Sequence, residues 1–124
     1  MTSWADLTIV HATQKVKGFR LETDWLEIGR ALKNLSNRMK PEPYKKLLRA
    51  IDLSDRTAFY LIAIVTRLDA QEIKVPGNIG WRKLAEVAPI LTYENQMIIF
   101  NKVFSHTREE LIKMRQDGTL AKEG

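Results

Sequence analysis

Apolar residues recur at spacings of three and four along most of the 124-residue chain, and this periodicity limits the fold more than any other feature. The clearest stripe lies in the region 21–39 and consists of Leu21, Trp25, Ile28, Leu32, Leu35 and Met39. Such spacing puts apolar side chains on one face of an α-helix, whereas a half-buried strand alternates at every second residue. No stretch alternates for long. The pattern predicts an all-α protein with six or seven short helices around one core.

Turn and capping residues divide this pattern into separate helices. Pro41 and Pro43 end one helix and open the next, because proline fits the first turn of a helix and disrupts its interior. Ser54 can cap a helix that runs to about residue 68, and Thr107, with a glutamate three residues on, matches the capping box. We also expect helices within 1–18, broken near Gly18, and over 79–88 and 92–104, with a frayed end in the segment DGTLAKEG.

Length and hydropathy predict one domain in the cytoplasm. A chain of 124 residues fits a single compact domain, which we divide into a basic part over about 21–72, a loop at 75–79 and a helical part over 80–116. The longest apolar run, Ala58–Val65, is eight residues long, whereas a membrane-spanning helix needs ~20. The N-terminus lacks the basic start and apolar core of a secretion signal. We therefore expect a cytoplasmic location and no membrane partner.

Residues that catalyse reactions or bind metals are few. The chain has no cysteine and two histidines, His11 and His106, which excludes a cysteine zinc site, an iron–sulfur site and a thiol nucleophile. Asp52 and Asp55 lie three residues apart but have no His or Lys beside them in an acid–base pattern. No Ser–His–Asp order, phosphate-binding glycine loop or HExxH sequence occurs. We expect neither an enzyme nor a cofactor or metal site.

Positive charge is concentrated in one part of the chain. The segment 30–68 holds nine basic and three acidic residues, a net charge of +6, which leaves −1 for the rest. A localised basic surface is typical of proteins that bind polyanions, since each Lys or Arg that meets a phosphate releases a condensed counterion. A basic helix face is often no more than a solvated face, so charge alone leaves both interpretations open.

The order of elements over about 43–68 is that of a helix-turn-helix unit: a short helix, a corner of about three residues and a helix that opens at Ser54. In such units the first turns of the second helix contact bases in the major groove. The apolar residues available to hold the two helices together are Leu47, Leu48, Ile51, Leu53, Ala58, Leu61 and Ile62.

The same unit suggests which residues contact double-stranded DNA. Arg56 is the predicted base contact, because its forked guanidinium matches guanine. Ser54 and Tyr60 suit phosphate oxygens. Asp55 either accepts from a cytosine amine or only favours the helix N-terminus. The predicted phosphate contacts are Lys45, Lys46 and Arg49, with Arg38 and Lys40 flanking the groove.

The stretch LLRAIDLSDRTAFYLIAIV resembles the helix-turn-helix of ParB-type plasmid partition proteins and of a related family of short phage and plasmid proteins. The preceding WLEIGRALKN looks like the helix before this unit in that second family. The following IGWRKLAEVAPILTYENQMIIFNKVFSHTREELIKM resembles the helical segment after it. Together these similarities cover roughly 21–115 and imply a small DNA-binding regulator or partition-like protein. The corner position that usually holds glycine is Asp52, a residue type that tolerates left-handed backbone.

The second helix of this unit leaves an alternative open. Its segment AFYLIAIV is apolar almost all round, which is typical of a buried helix. If Phe59 and Tyr60 are buried, the unit has a helix-turn-helix shape but does not contact bases. The chain is then a phage- or plasmid-borne module that binds an acidic host protein or a nucleoprotein complex. A structural subunit of a larger helical assembly is a third interpretation.

Helix-turn-helix proteins commonly dimerise so that two second helices meet successive major grooves, and we expect a homodimer here. Trp4 is the best candidate for an exposed or interface-facing aromatic residue, whereas Trp25 and Trp81 lie on apolar stripes and are expected in the core. The residues predicted to form the dimer contact are Ile98, Ile99, Val103 and Leu111.

Overall fold

The computed structural model describes residues 4–77 and 79–123, and these residues form seven α-helices and two 3-10 turns without any strand. The prediction of an all-α fold with six or seven helices is therefore confirmed. In the described part of the chain, no helix combines the length and the apolar character needed to cross a membrane. The helices are α1 (Ile9–Lys17), α2 (Leu21–Arg38), α3 (Pro41–Ala50), α4 (Asp55–Ala70), α5 (Trp81–Val87), α6 (Gln96–Ser105) and α7 (Arg108–Asp117), and the 3-10 turns are Trp4–Asp6 and Ala88–Ile90.

Internal contacts divide the chain into two compact units, residues 1–65 (unit 1) and 66–124 (unit 2), and the boundary falls within α4. Unit 1 buries most of the apolar residues that the sequence predicts for its core. The exceptions are half-buried: Leu21 and Met39 at the ends of the α2 stripe, and Ile51 and Ile62 on either side of the corner. As expected, Gly18 follows the last residue of α1. The core of unit 1 consists of Ala12, Val16, Trp25, Ile28, Ala31, Leu32, Leu35, Leu47, Leu48, Leu53, Ala58, Leu61, Ile64 and Val65.

Within unit 1, α2 lies directly against α4 at Gly29. A Cβ atom built on Gly29 would lie 2.9 Å from Val65 Cγ1 and 3.0 Å from the carbonyl oxygen of Leu61. Cβ atoms in real structures essentially never come within 3.0 Å of another residue. The crossing of these two helices therefore depends on a residue without a side chain.

The corner between α3 and α4 is built as the sequence suggests. Asp52 adopts the left-handed conformation, with φ 56°, at the position where glycine is usual. The Leu53 amide donates to the Leu48 carbonyl at 2.9 Å and the Asp52 amide to the Arg49 carbonyl at 3.1 Å, which is the Schellman pattern of helix ends. α4 then begins directly after Ser54. Two helices of ten and sixteen residues thus meet at a tight corner.

Unit 2 confirms the predicted capping box and shifts two helix starts. Thr107 Oγ1 accepts from the Glu110 amide, and a Glu110 carboxylate oxygen accepts from the Thr107 amide at 2.8 Å. α6 begins at Gln96 rather than near Thr92, because the Asn95 side chain accepts from the Thr92 amide and closes a turn before the helix. α5 begins two residues later than predicted, at Trp81.

The C-terminal segment of the described chain is packed, so the expectation of a frayed end is wrong. Leu120 is 1% exposed and belongs to the core of unit 2. The Lys102 ammonium group, itself buried, donates to the carbonyl of Thr119 at 2.8 Å and to that of Lys122. These contacts fix the segment that follows α7 against α6.

The side chains predicted for a dimer contact belong mainly to the core of unit 2. Ile99, Val103 and Leu111 are each at most 1% exposed, so they are not available to a second copy of the folded chain. Ile98 is half-buried. The predicted contact set is therefore wrong, while the homodimer itself stays a prediction. The large apolar side chains that unit 2 exposes are Tyr93, Met97 and Phe104.

Candidate nucleic-acid interface

One side of α4 faces solvent in unit 1, although the sequence there is almost entirely apolar. Phe59 is 68% exposed, and Arg56 and Ala63 are exposed on the same side. Leu61, on the opposite side, is fully buried. Tyr60 is half-buried at the edge of the exposed side. The alternative in which both rings are buried is therefore wrong for Phe59.

Three side chains on this face form one cluster. Arg56 donates from Nε to the Tyr60 hydroxyl at 3.2 Å, and its guanidinium carbon lies 5.5 Å from the centre of the Tyr60 ring. The Phe59 ring meets the Tyr60 ring edge-on at a centroid distance of 6.2 Å. A guanidinium over an aromatic face is attracted by the negative face of the ring. Tyr60 thus holds Arg56 by its Nε end and leaves the two terminal amino groups without a protein partner in the described residues.

The first turn of α4 is stabilised by Ser54. Its hydroxyl oxygen accepts from the Thr57 amide at 3.1 Å and the hydroxyl donates to Thr57 Oγ1 at 3.0 Å. An N-cap of this kind satisfies one of the amides that have no partner within the helix. The Ser54 hydroxyl therefore already caps the helix, and a phosphate would have to bind it in addition to Thr57.

Asp55 places a negative charge on this first turn, close to α3. The pKa of the half-buried Tyr44 hydroxyl is raised, mainly by burial and secondarily by the charge of Asp55. Tyr44 thus stays neutral at physiological pH and lies within electrostatic reach of the start of α4. Asp55 itself is exposed and also interacts favourably with the positive end of the helix dipole.

The predicted phosphate contacts on and before α3 are exposed and unpaired. Lys45, Lys46 and Arg49 project into solvent from α3, and Lys40 lies exposed at its N-cap position. None of the four forms an ion pair within the described residues. Glu42 is an acidic neighbour in the first turn of the same helix. The positive charges of α3 are therefore free to meet an external anion.

Arg38 is engaged within unit 1. Its Nη2 donates to the Leu7 carbonyl at 2.7 Å, and its Nη1 donates to the Trp4 carbonyl at 3.3 Å and to Asn34 Oδ1 at 2.9 Å. These bonds hold the N-terminal 3-10 turn against the end of α2. A phosphate contact by Arg38 therefore has to use the guanidinium N–H groups that these three bonds do not occupy.

Trp4, expected to be exposed or to face a partner, is half-buried instead. Its ring lies edge-on to Phe19 at 6.0 Å, and the Lys15 ammonium group lies 5.2 Å from the ring centre. Its indole N–H donates to a Glu27 carboxylate oxygen at 3.4 Å. Trp25 is buried as expected, whereas Trp81 is half-buried beside the Arg82 guanidinium.

Two residues of this surface are missing from the predicted set of contacts: Phe59 and Tyr44. A signal for Phe59 was present, because at 100° per residue it lies on the same side of α4 as Arg56 and Ala63 and opposite Leu61. No such signal existed for Tyr44, whose position beside Asp55 depends on how α3 and α4 meet.

No group of three or more His, Cys, Asp or Glu side chains that could hold a metal ion is present among residues 4–77 and 79–123. Comparisons of the chain with protein-family models, with curated proteins and with solved structures gave no match. The resemblance to ParB-type proteins and to short phage and plasmid proteins therefore stays a prediction. What bears on function is the exposure and pairing of the side chains on α3 and on the outer face of α4.

Proposed function

We propose that this chain is a small DNA-binding protein, a regulator or partition-like factor, that places the first turns of α4 in the major groove of a duplex. The observation that carries the proposal is the state of Arg56: it is exposed on the second helix of a helix–corner–helix, and Tyr60 fixes it by its Nε end. Its two terminal amino groups then remain as a forked pair of donors, which is the arrangement that guanine O6 and N7 accept.

Affinity comes from the cations of α3 in this proposal. Lys40, Lys45, Lys46 and Arg49 are exposed and unpaired, so each can meet a phosphate without first breaking an internal ion pair. The logarithm of the binding constant falls with the logarithm of salt concentration with a slope of about −0.9 for each phosphate contact. Four contacts predict a roughly hundredfold loss of affinity between about 50 and 200 mM salt.

Specificity comes from the start of α4. Arg56 is assigned to guanine, and Asp55 to a cytosine amine or to the helix dipole alone. The negative charge of Asp55 also repels phosphate at this turn. We therefore assign the turn to base edges and the contacts with the DNA backbone to α3. Ser54 keeps its capping role, and Tyr60 positions Arg56 through its hydroxyl group.

The test is a titration of a fluorescently labelled random-sequence duplex of about 25 base pairs, followed by anisotropy at several salt concentrations from about 50 to 200 mM. The variant is Lys45→Ala combined with Lys46→Ala. Because it removes two phosphate contacts, it is expected to lower the magnitude of the salt slope by about 1.8.

The matched control is Lys74→Ala combined with Lys113→Ala, which removes the same net charge from exposed positions of unit 2. Its salt slope is expected to equal that of the wild type. Equal changes in both double variants would mean that affinity follows net charge rather than the α3 surface. An absence of binding by the wild-type chain at the lowest salt would overturn the proposal and favour an acidic protein partner.

A further inference from the structure

The outer face of α4 holds an apolar side chain that phosphate binding does not explain. Phe59 is 68% exposed, and its ring contact is the edge of Tyr60. On the helix it lies near the middle of the exposed side, one turn after Arg56 and one turn before Ala63. Among the described residues of unit 1, Phe59 is the most exposed large apolar side chain, and it lies one helical turn from the side chain assigned to guanine.

The major groove offers one apolar group to such a side chain. Each base pair presents hydrogen-bond donors and acceptors there, and thymine adds its C5-methyl group, which pairs with apolar contacts such as the ring of phenylalanine. Side chains three residues apart on a helix lie about 5–6 Å from each other at their Cβ atoms. Successive base pairs are about 3.4 Å apart, so two such side chains meet bases one or two steps apart.

We infer that Phe59 is a specificity-determining residue that contacts the methyl group of a thymine one or two base pairs from the guanine bound by Arg56. The inference rests on the proposed function and adds the chemical class of target: duplexes in which a G·C pair stands close to an A·T pair. Duplex DNA is favoured as the occupant of this face because the cations of α3, the helix joined to α4 at the corner, are unpaired and match phosphate.

The experiment begins with selection of bound duplexes from a random library by the wild-type chain. Arg56→Ala then identifies the guanine that this residue contacts, because discrimination at that base pair is lost in the variant. In the best selected duplex, each thymine is next replaced in turn by deoxyuridine, which lacks only the methyl group. One replacement within two base pairs of that guanine is expected to weaken binding about fourfold, the value of one buried methyl group.

The Phe59→Ala chain is expected to bind the same duplex more weakly and to show no further loss on that replacement. Met97→Ala, which removes an exposed apolar side chain from unit 2, is the matched control and is expected to keep the fourfold effect. Thermal unfolding of both variants is expected to match the wild type, since both side chains are mostly exposed.

The outcomes separate the two proposals. If the wild-type chain binds its selected duplex and every thymine can be replaced without loss, the assignment of Phe59 is overturned while the DNA-binding function stands. A methyl effect that persists in Phe59→Ala, or a selection without any preferred A·T pair beside the guanine, also overturns the assignment. Failure to bind any duplex at low salt overturns both proposals together.

Discussion

Within residues 4–77 and 79–123, two helices end in a left-handed residue that is not glycine. Asp52 after α3 has a φ of 56°, and Glu72 after α4 has a φ of 55°. In both cases the next residue, Leu53 or Ile73, is buried and its amide donates to the carbonyl five residues earlier at 2.9 Å. Left-handed backbone costs non-glycine residues free energy, because Cβ approaches the following carbonyl oxygen. Burial of the apolar side chain after each corner compensates for that cost.

Glu72→Gly is expected to stabilise the fold, because it removes this left-handed strain. Glycine adopts the left-handed conformation without strain but has more freedom in the unfolded chain, so the net gain is expected to be about 0.5–1 kcal/mol. In equilibrium unfolding by urea, this gain is expected to raise the midpoint urea concentration and to leave the dependence of the unfolding free energy on urea unchanged.

Gly118→Ala is the reverse control for this prediction. Gly118 ends α7 with a φ of 79° and has open space around its Cα, so an added Cβ tests backbone strain alone. We expect it to lower the free energy of unfolding by about 1 kcal/mol. A Glu72→Gly chain less stable than the wild type would show that the Glu72 side chain contributes more than its backbone strain costs.

At the scale of the helices, the sequence predicted where α4 lies but left open whether its Phe59 side is exposed or the helix is buried all round. Residues 58–65 are apolar throughout, so the pattern alone suggests burial all round. Phe59 and Ala63 are nevertheless exposed while Leu61 is fully buried. Phe and Ala carry no polar signal that would mark a solvent side. The sequence indicates the exposed side only through helical spacing, which places Phe59 and Ala63 on the same side of α4 as Asp55 and Arg56.

Other features depend on tertiary contacts that no local pattern contains. The partners of Arg38 in the N-terminal turn lie 31 and 34 residues away in sequence, so its engagement could not be inferred from α2. Lys102 donates to carbonyls 17 and 20 residues further on, which is why a tail of polar composition is ordered. In contrast, the exposure of Lys46 and Arg49 followed from helical spacing, because both lie opposite the buried leucines of α3.

The crossing of α2 and α4 gives a prediction at this scale. Gly29→Ala is expected to lower the free energy of unfolding by about 1–3 kcal/mol, because the new methyl group overlaps Val65 Cγ1 and the backbone carbonyl of Leu61. The Leu61 carbonyl belongs to the backbone of α4, so it cannot move away unless the helix shifts. Urea unfolding followed by circular dichroism measures the loss.

Gly18→Ala is the matched control in unit 1. Gly18 has a φ of −85°, which alanine adopts freely, and its nearest contact would be a carbonyl oxygen at 3.5 Å. This substitution is expected to change stability by less than about 0.5 kcal/mol. Equal stabilities of the Gly29→Ala and Gly18→Ala chains would contradict a crossing that requires glycine.

Over the whole molecule, net charge is distributed unequally between the two units. Unit 1 holds eleven basic and seven acidic residues, a net charge of +4, whereas unit 2 holds nine basic and eight acidic residues, a net charge of +1. All residues proposed to contact DNA lie in unit 1. Substitutions in unit 2 that keep the fold should therefore change stability without changing the number of phosphates contacted.

Leu120 allows this separation to be tested. Leu120→Ala is expected to lower the free energy of unfolding by about 2–4 kcal/mol, because a fully buried leucine leaves a cavity when it is truncated. A frayed terminal segment would instead give a change within about 0.5 kcal/mol, the value expected for the control Met97→Ala, whose side chain is 76% exposed. At a temperature where both variants are fully folded, their salt slopes on the random duplex should equal that of the wild type, since neither change removes a cation. A reduced slope for Leu120→Ala would mean that the phosphate-binding surface depends on the packing of unit 2, and the contacts would then have to be sought beyond α3 and α4.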